Sequence, residues 1–209
     1  ALMERMESVA SMFSVFYPTV IPPKKWENGQ LVGGGYYTEN VQPYRLIKGS
    51  KAKYVAEMEN RDLSEILEPL NAIQNTPWRV NQTMLEALRF TFDNGFNVNG
   101  LITSDHKELP EKPMHFGEEG YEDLTKEYKK TCYMIHDDNR RNVSKRLAVI
   151  RTIALAAKFS AYDRIYFPHD VDSRGRAYPR PTFLSPQGAD YAKGLLEFSE
   201  GKVIESEDD

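Results

Sequence analysis

Cysteine is nearly missing from this sequence: Cys132 is the single one in 209 residues. A lone thiol closes no internal disulfide, and without a second cysteine or a paired histidine nearby it has no zinc-binding spacing, so it is expected as a core thiol. Long apolar runs are missing too. Nothing approaches the roughly 20 residues that cross a bilayer, and the opening ALMERMESVASMF mixes Glu and Arg into its apolar positions, unlike a signal peptide. A cytosolic compartment and no membrane partner are expected. An initiator Met is absent and the first residues carry a mid-helix pattern, so the chain reads as part of something longer. No phosphate loop is present, because VGGGYY is followed by neither Gly-Lys-Ser/Thr nor a helix, and a hairpin turn is the expectation there. Internal repeats and low-complexity tracts are also lacking. At 40% hydrophobic, 28% charged and 11% aromatic residues the composition is that of an ordinary folded protein, long enough for one large domain or two small ones.

What is present is an uneven charge. The net charge of −4 argues against a generic nucleic-acid binder. Its distribution says otherwise. Residues 104–138 carry ten acidic and five basic side chains, whereas 139–162 carry six basic ones and no acid, and the stretch from Gly194 carries six acids against one lysine. A basic stripe between acidic flanks is the pattern of a localised phosphate-facing surface. Arg140, Arg141, Lys145 and Arg146 are its densest part. On an ideal helix Arg140, Arg151 and Lys158 fall within about 20° of one another.

Periodicity divides the chain. Leu2, Met6, Val9 and Phe13 mark the end of an amphipathic helix. The segment from FYPTVIPPKKW to VQPYRLIKG, with its prolines and glycines, predicts an irregular β region. Residues 51–74 are helical in composition. NTPWRVNQTMLEALRFTFDNG predicts a helix with a Thr cap, a proline at its first position and a terminal glycine. Residues 96–117 predict a long loop, followed by two helices, about 119–136 and 138–160, broken near HDDN. The second is apolar over most of its later circumference and should be substantially buried.

The stretch VDSRGRAYP, residues 171–179, carries two arginines, an aspartate, a glycine and a tyrosine. Alone it is a hairpin with an Asp–Arg ion pair: a strand, a turn and a resumed strand. In order along the chain it follows VIPPKKW, GGGYY, IQNTPWRVNQ and a basic helix, and it precedes SPQGADYAKGLL. Together these motifs resemble the bacteriophage-type single-subunit RNA polymerases, whose relatives also transcribe mitochondrial genomes. The resemblance runs from about Met12 to Ile204 and is weaker between Phe92 and Asp138.

It implies an α+β piece of a hand-shaped polymerase. Residues 1–74 would complete the N-terminal domain, 75–161 the helical thumb with an inserted loop at about 93–118, and 162–209 the first antiparallel strands of the palm. The motif would be a nucleic-acid-holding element: Gly175 lets the strand turn and a sugar-phosphate backbone approach, Arg174 and Arg176 grip phosphate through paired donors, Tyr178 stacks on a base or sugar, and Asp172 orients an arginine. Lys193 matches a family position near the same duplex.

Asp170 and Asp172, two residues apart on a strand, could in principle share a metal. The resemblance argues against it, since the family's metal ligands lie in later palm motifs, and it implies no catalytic or metal-binding residue here. Mg2+ would serve the assembled enzyme through ligands outside this chain. The implied partners are template DNA, nascent RNA, NTP substrates and a second polymerase subunit carrying the rest of palm and fingers, in the cytoplasm of a bacterial host. A split polymerase subunit and a piece of one long polypeptide both fit. The alternative function is a non-catalytic nucleic-acid-binding regulator derived from such a polymerase.

Overall fold

A computed structural model of the chain describes residues 16–38, 43–96, 98, 101 and 106–201. The N-terminal amphipathic segment and the acidic tail beyond Gly201 lie outside them. The fold is α+β, in two compact units: Ala1–Leu85 with Ala154–Asp209, and Glu86–Ile153. Among the described residues no helix is long and apolar enough to cross a membrane.

In the first unit the core gathers Trp26, Leu31, Tyr44, Leu46, Val55, Leu67, Leu70 and Val171. Two helices, α1 (Ala52–Glu59) and α2 (Ser64–Gln74), feed it. Leu67, Leu70 and Gln74 are the buried residues of α2, at the three- and four-residue steps that bring side chains onto one face. Buried Gln74 is satisfied in full: its amide donates to Lys24 O at 3.2 Å and Asn71 Oδ1 at 3.0 Å, and its carbonyl accepts from His169 N at 3.4 Å.

The glycine run does not form the tight turn expected of it. That turn is at Asn28-Gly29, where Glu27 bridges Gln30 and Gly29 has φ +77°, and Asn-Gly is the stronger hairpin signal. Gly33 to Gly35 lie on the return arm, where Gly35 pairs with Lys24. A Cβ on Gly34 would sit 2.6 Å from the Trp26 indole, and one on Gly35 2.2 Å from the Tyr44 hydroxyl. The run therefore lets backbone lie directly on two core aromatics.

The helix predicted to start at Thr76-Pro77 starts later. Trp78–Val80 is a strand, β1, paired antiparallel with β4 (Leu196–Phe198) in the register Trp78↔Phe198 and Val80↔Leu196. Trp78 also exchanges both backbone hydrogen bonds with Ile165, at 2.8 and 2.7 Å, and its ring lies 4.3 Å from that of Phe198. These long-range partners override the local cap. Helix α3 (Gln82–Asp93) follows, and Asn81 supplies the cap: its Oδ1 accepts Met84 N at 2.9 Å and its carbonyl accepts Leu85 N at 3.0 Å.

The expected break at HDDN is absent. Glu122–Phe159 is one helix of 38 residues, α4. Its polar centre is satisfied from the side without interrupting the backbone. Asp137 pairs with Arg140 at 2.5 Å and Arg141 at 2.6 Å, and Asp138 pairs with Lys107 at 2.7 Å. Buried Asn139 exchanges two hydrogen bonds with the Lys107 backbone, at 2.8 and 2.9 Å, pinning the 106–117 loop. Cys132 is half-buried on α4, not a core thiol, because this part of the helix is covered only along the narrow stripe Thr125, Tyr128, Cys132 and Ile135. Later in α4, Val149, Thr152, Ala156 and Phe159 are buried, as its apolar composition requires. The remaining elements are β2 (His169–Val171), β3 (Ala177–Pro179) and the short α5 (Asp190–Gly194).

The two possible caps of α3 make different predictions. Asn81→Ala should destabilise the chain by about 1 kcal/mol, while Thr76→Ala should stay within about 0.5 kcal/mol, as measured by urea unfolding. Equal losses would contradict the assignment of Asn81 as the cap.

Candidate nucleic-acid interface

Strands β2 and β3 pair antiparallel, with His169 opposite Pro179 and Val171 opposite Ala177. The turn between them, Asp172 to Arg176, is the centre of the motif. Asp172 organises it. One carboxylate oxygen accepts the backbone N–H of Arg174 at 2.8 Å and of Arg176 at 3.0 Å, and the other accepts Nε and Nη2 of Arg174 at 3.0 and 2.9 Å. Backbone bonds from Gly175 N to Asp172 O and from Asp172 N to Arg176 O, both 3.0 Å, close the loop. Gly175 sits at φ +79°, where a side chain would strain the backbone. Nothing lies within 4 Å of a Cβ placed there, so conformation rather than crowding demands glycine.

Hydrogen bonds to its charged form hold the Asp172 carboxyl well below the usual range, at about 2; the Arg176 N–H contributes most, and Arg174 adds side-chain and backbone bonds and its charge. Arg174 is thus the arginine that Asp172 orients. The Arg176 backbone is fixed in the turn, while its exposed guanidinium makes no hydrogen bond or ion pair with the described residues. Half-buried Tyr178 points its hydroxyl toward Asp172 at 3.5 Å, a marginal contact.

Asp170 behaves differently. It is 1% exposed and bonds Arg180 at 2.9 Å. Burial holds its carboxyl above the usual carboxylate range, and Arg180 and Lys48 offset this only in part. The Arg180 guanidinium lies 4.3 Å from the Phe16 ring centre and 4.7 Å from that of Tyr44. The two carboxylates are therefore engaged by different arginines. Among the described residues no group of three His, Cys, Asp or Glu side chains is placed to hold an ion. Sequence reasoning misses Arg180. The hairpin register holds the signal, since with Asp170 opposite Tyr178, Arg180 is its diagonal neighbour.

Of the other predicted cations, Lys193 pairs with Asp190 at 2.9 Å on α5, leaving its side chain half exposed. Arg140 and Arg141 share Asp137 and stay largely exposed. Arg146 lies 6.0 Å from the Phe92 ring centre, and Lys145 is exposed without a hydrogen bond or ion pair among the described residues. Asp137, counted with the acidic flank in the sequence, thus partly neutralises the head of the basic stretch. The motif, with Lys193, belongs to the first compact unit and these four cations to the second.

No protein-family profile matches the chain. Individual relatives do. The chain is 32% identical to the DNA-directed RNA polymerase of Enterobacteria phage T3 over 99% of its own length and 23% of that enzyme's. With the T7 RNA polymerase of Escherichia phage T7 the identity is 30%, over 99% of this chain and 23% of the relative. With the mitochondrial DNA-directed RNA polymerase 1 of Arabidopsis thaliana it is 31%, over 95% and 20%. The chain is therefore homologous, over nearly its whole length, to a segment of the phage and organellar single-subunit DNA-directed RNA polymerases. It spans less than a quarter of the length of these relatives.

The Asp172 network has a defined pH signature. Its carboxyl is depressed from 3.8 to about 2 in the folded chain, so its contribution to stability is present above the unfolded value and lost as pH falls through the folded one. Asp172→Asn should lower the melting temperature at pH 6, and the gap to wild type should close between about pH 4 and pH 2. A gap independent of pH would show that the carboxylate's charge contributes nothing to the turn.

Proposed function

We propose that this chain is a component of a DNA-directed RNA polymerase that holds template DNA and the RNA–DNA hybrid during transcription. One observation carries the reading: in a segment homologous to such polymerases, one carboxylate spends itself on a turn whose tip presents the Arg176 guanidinium without a hydrogen bond or ion pair among the described residues. Asp172 and Gly175 build the turn, Arg174 stiffens it, and Arg176 offers its guanidinium to backbone phosphate. Tyr178 flanks the turn as a surface for a sugar or base. Lys193, and separately Arg140, Arg141, Lys145 and Arg146, contribute positive charge along the strands.

The reaction of the whole enzyme, extension of RNA by NTPs, draws on machinery outside these residues. Mg2+ does not fit Asp170 and Asp172 as they are engaged here, so its ligands, with the fingers, come from further polymerase sequence, on the same polypeptide or a second subunit. The host-cell cytoplasm is the place of action this reading implies.

In the assembled enzyme Arg176→Ala should weaken hybrid binding by about 1–3 kcal/mol, equally for every base sequence, because the contact is to backbone. Unchanged hybrid affinity together with unchanged RNA synthesis would overturn the role of Arg176. Neutralising Arg140, Arg141, Lys145 and Arg146 together should flatten the salt dependence of binding by about 0.9 in log–log slope for each duplex phosphate no longer neutralised. An unaltered slope would make these four a solvated helix face.

A further inference from the structure

We infer that the cleft between the turn at Ile47–Ser50 and Arg180 is a second phosphodiester-binding site, distinct from the tip of the Asp172 hairpin. It is about 520 Å³, open to solvent, and lined by Arg45, Lys48 and Arg180, with no carboxylate among the described residues that line it. The acid that serves this group is Asp170, buried and bonded to Arg180. That pair neutralises one of the three cations and leaves the cleft with two.

The three cations are held in different ways. Arg180 is fixed by its bond to Asp170 and by the Phe16 and Tyr44 rings, and its buried Nε has no partner among the described residues. Arg45 donates to Ser50 O across the turn. Lys48 is anchored through its backbone, which donates to Val171 O at 2.8 Å, while its exposed side chain makes no hydrogen bond or ion pair with the described residues. Gly49, at φ +73° with nothing within 4 Å of a Cβ, keeps the floor of the turn clear for a bulky anion.

The Arg45 guanidinium and the Lys48 ammonium suit phosphate oxygens, with Arg180 held at the back of the cleft by its bond to Asp170. Val32, Pro43 and Ile47 give the same cleft apolar walls against which a sugar can lie. Because the cleft is open, it suits a passing strand better than an enclosed nucleotide. Lys48 is bonded to Val171, the residue before Asp172, so cleft and hairpin tip are fixed to one strand and can hold neighbouring stretches of one backbone. The inference rests on the nucleic-acid-holding role proposed above.

The test titrates labelled 12-nucleotide single-stranded RNA and DNA into the 209-residue chain from 50 to 300 mM KCl, with inorganic phosphate as a parallel probe. The variants are R45Q/K48Q, which leaves the buried pair intact, and R176A as the hairpin control; thermal melting confirms folding. R45Q/K48Q should weaken strand binding about tenfold at low salt, for all base sequences, and lower the log–log salt slope by about 1.4, two phosphates at about 0.7 each. If R176A weakens binding and R45Q/K48Q does not, the cleft is overturned and the proposed function stands. If wild type binds neither strand, both fall. If inorganic phosphate raises the melting temperature of wild type but not of R45Q/K48Q, while strand binding is the same in both, the cleft is a site for a free anion and the strand assignment is overturned.

Discussion

The short strand His169–Val171 is the constraint on which the first unit depends, because its backbone groups are claimed on both edges. On one side it pairs with Ala177–Pro179. On the other, Val171 accepts from Lys48 N and donates to Leu46 O, while the His169 carbonyl accepts the Trp26 indole N–H at 2.9 Å and the His169 N–H goes to Gln74. Such a strand is expensive to disturb, since a buried amide left without a partner costs about 1–3 kcal/mol. The irregular β region, α2 and the hairpin are thereby tied at one place, and the turn that follows inherits its rigidity.

Above this base the two aspartates divide the work. Asp170 is buried with its arginine under two aromatic rings, where removing one partner alone would strand a charge at a cost of about 3–5 kcal/mol. Asp172, two residues on, stays accessible and forms the turn. One anchors the hairpin and the other shapes its tip, because the strand ends between them and only the first remains inside the sheet. Close as the two carboxylates are in sequence, each has its own guanidinium in space.

Much of this is legible in the sequence. The hairpin, with its glycine turn and its Asp–Arg pair, follows from local residue types, and so does the burial of the last turns of α4. The failures share a cause, which is that long-range partners outweigh local signals. Thr76-Pro77 is a sound helix start until Ile165 and Phe198 recruit Trp78 into strands. HDDN reads as a break until Lys107 and two arginines satisfy it. Arg180 cannot be paired with Asp170 without the register. Lys48 and Arg45 carry no local signal, since nothing in YRLIKG says that it faces a residue more than a hundred positions later.

The contact between Gly34 and Trp26 has a consequence for how such a chain can vary. The indole occupies the space that a side chain at position 34 would need, so the two positions share a single volume. Neither can drift alone. A larger residue at 34 becomes possible only after Trp26 shrinks, and a shrunken residue 26 gives up the N–H that holds His169. The glycine is thus locked in place by a hydrogen bond to which it does not belong, and the two positions form one heritable unit.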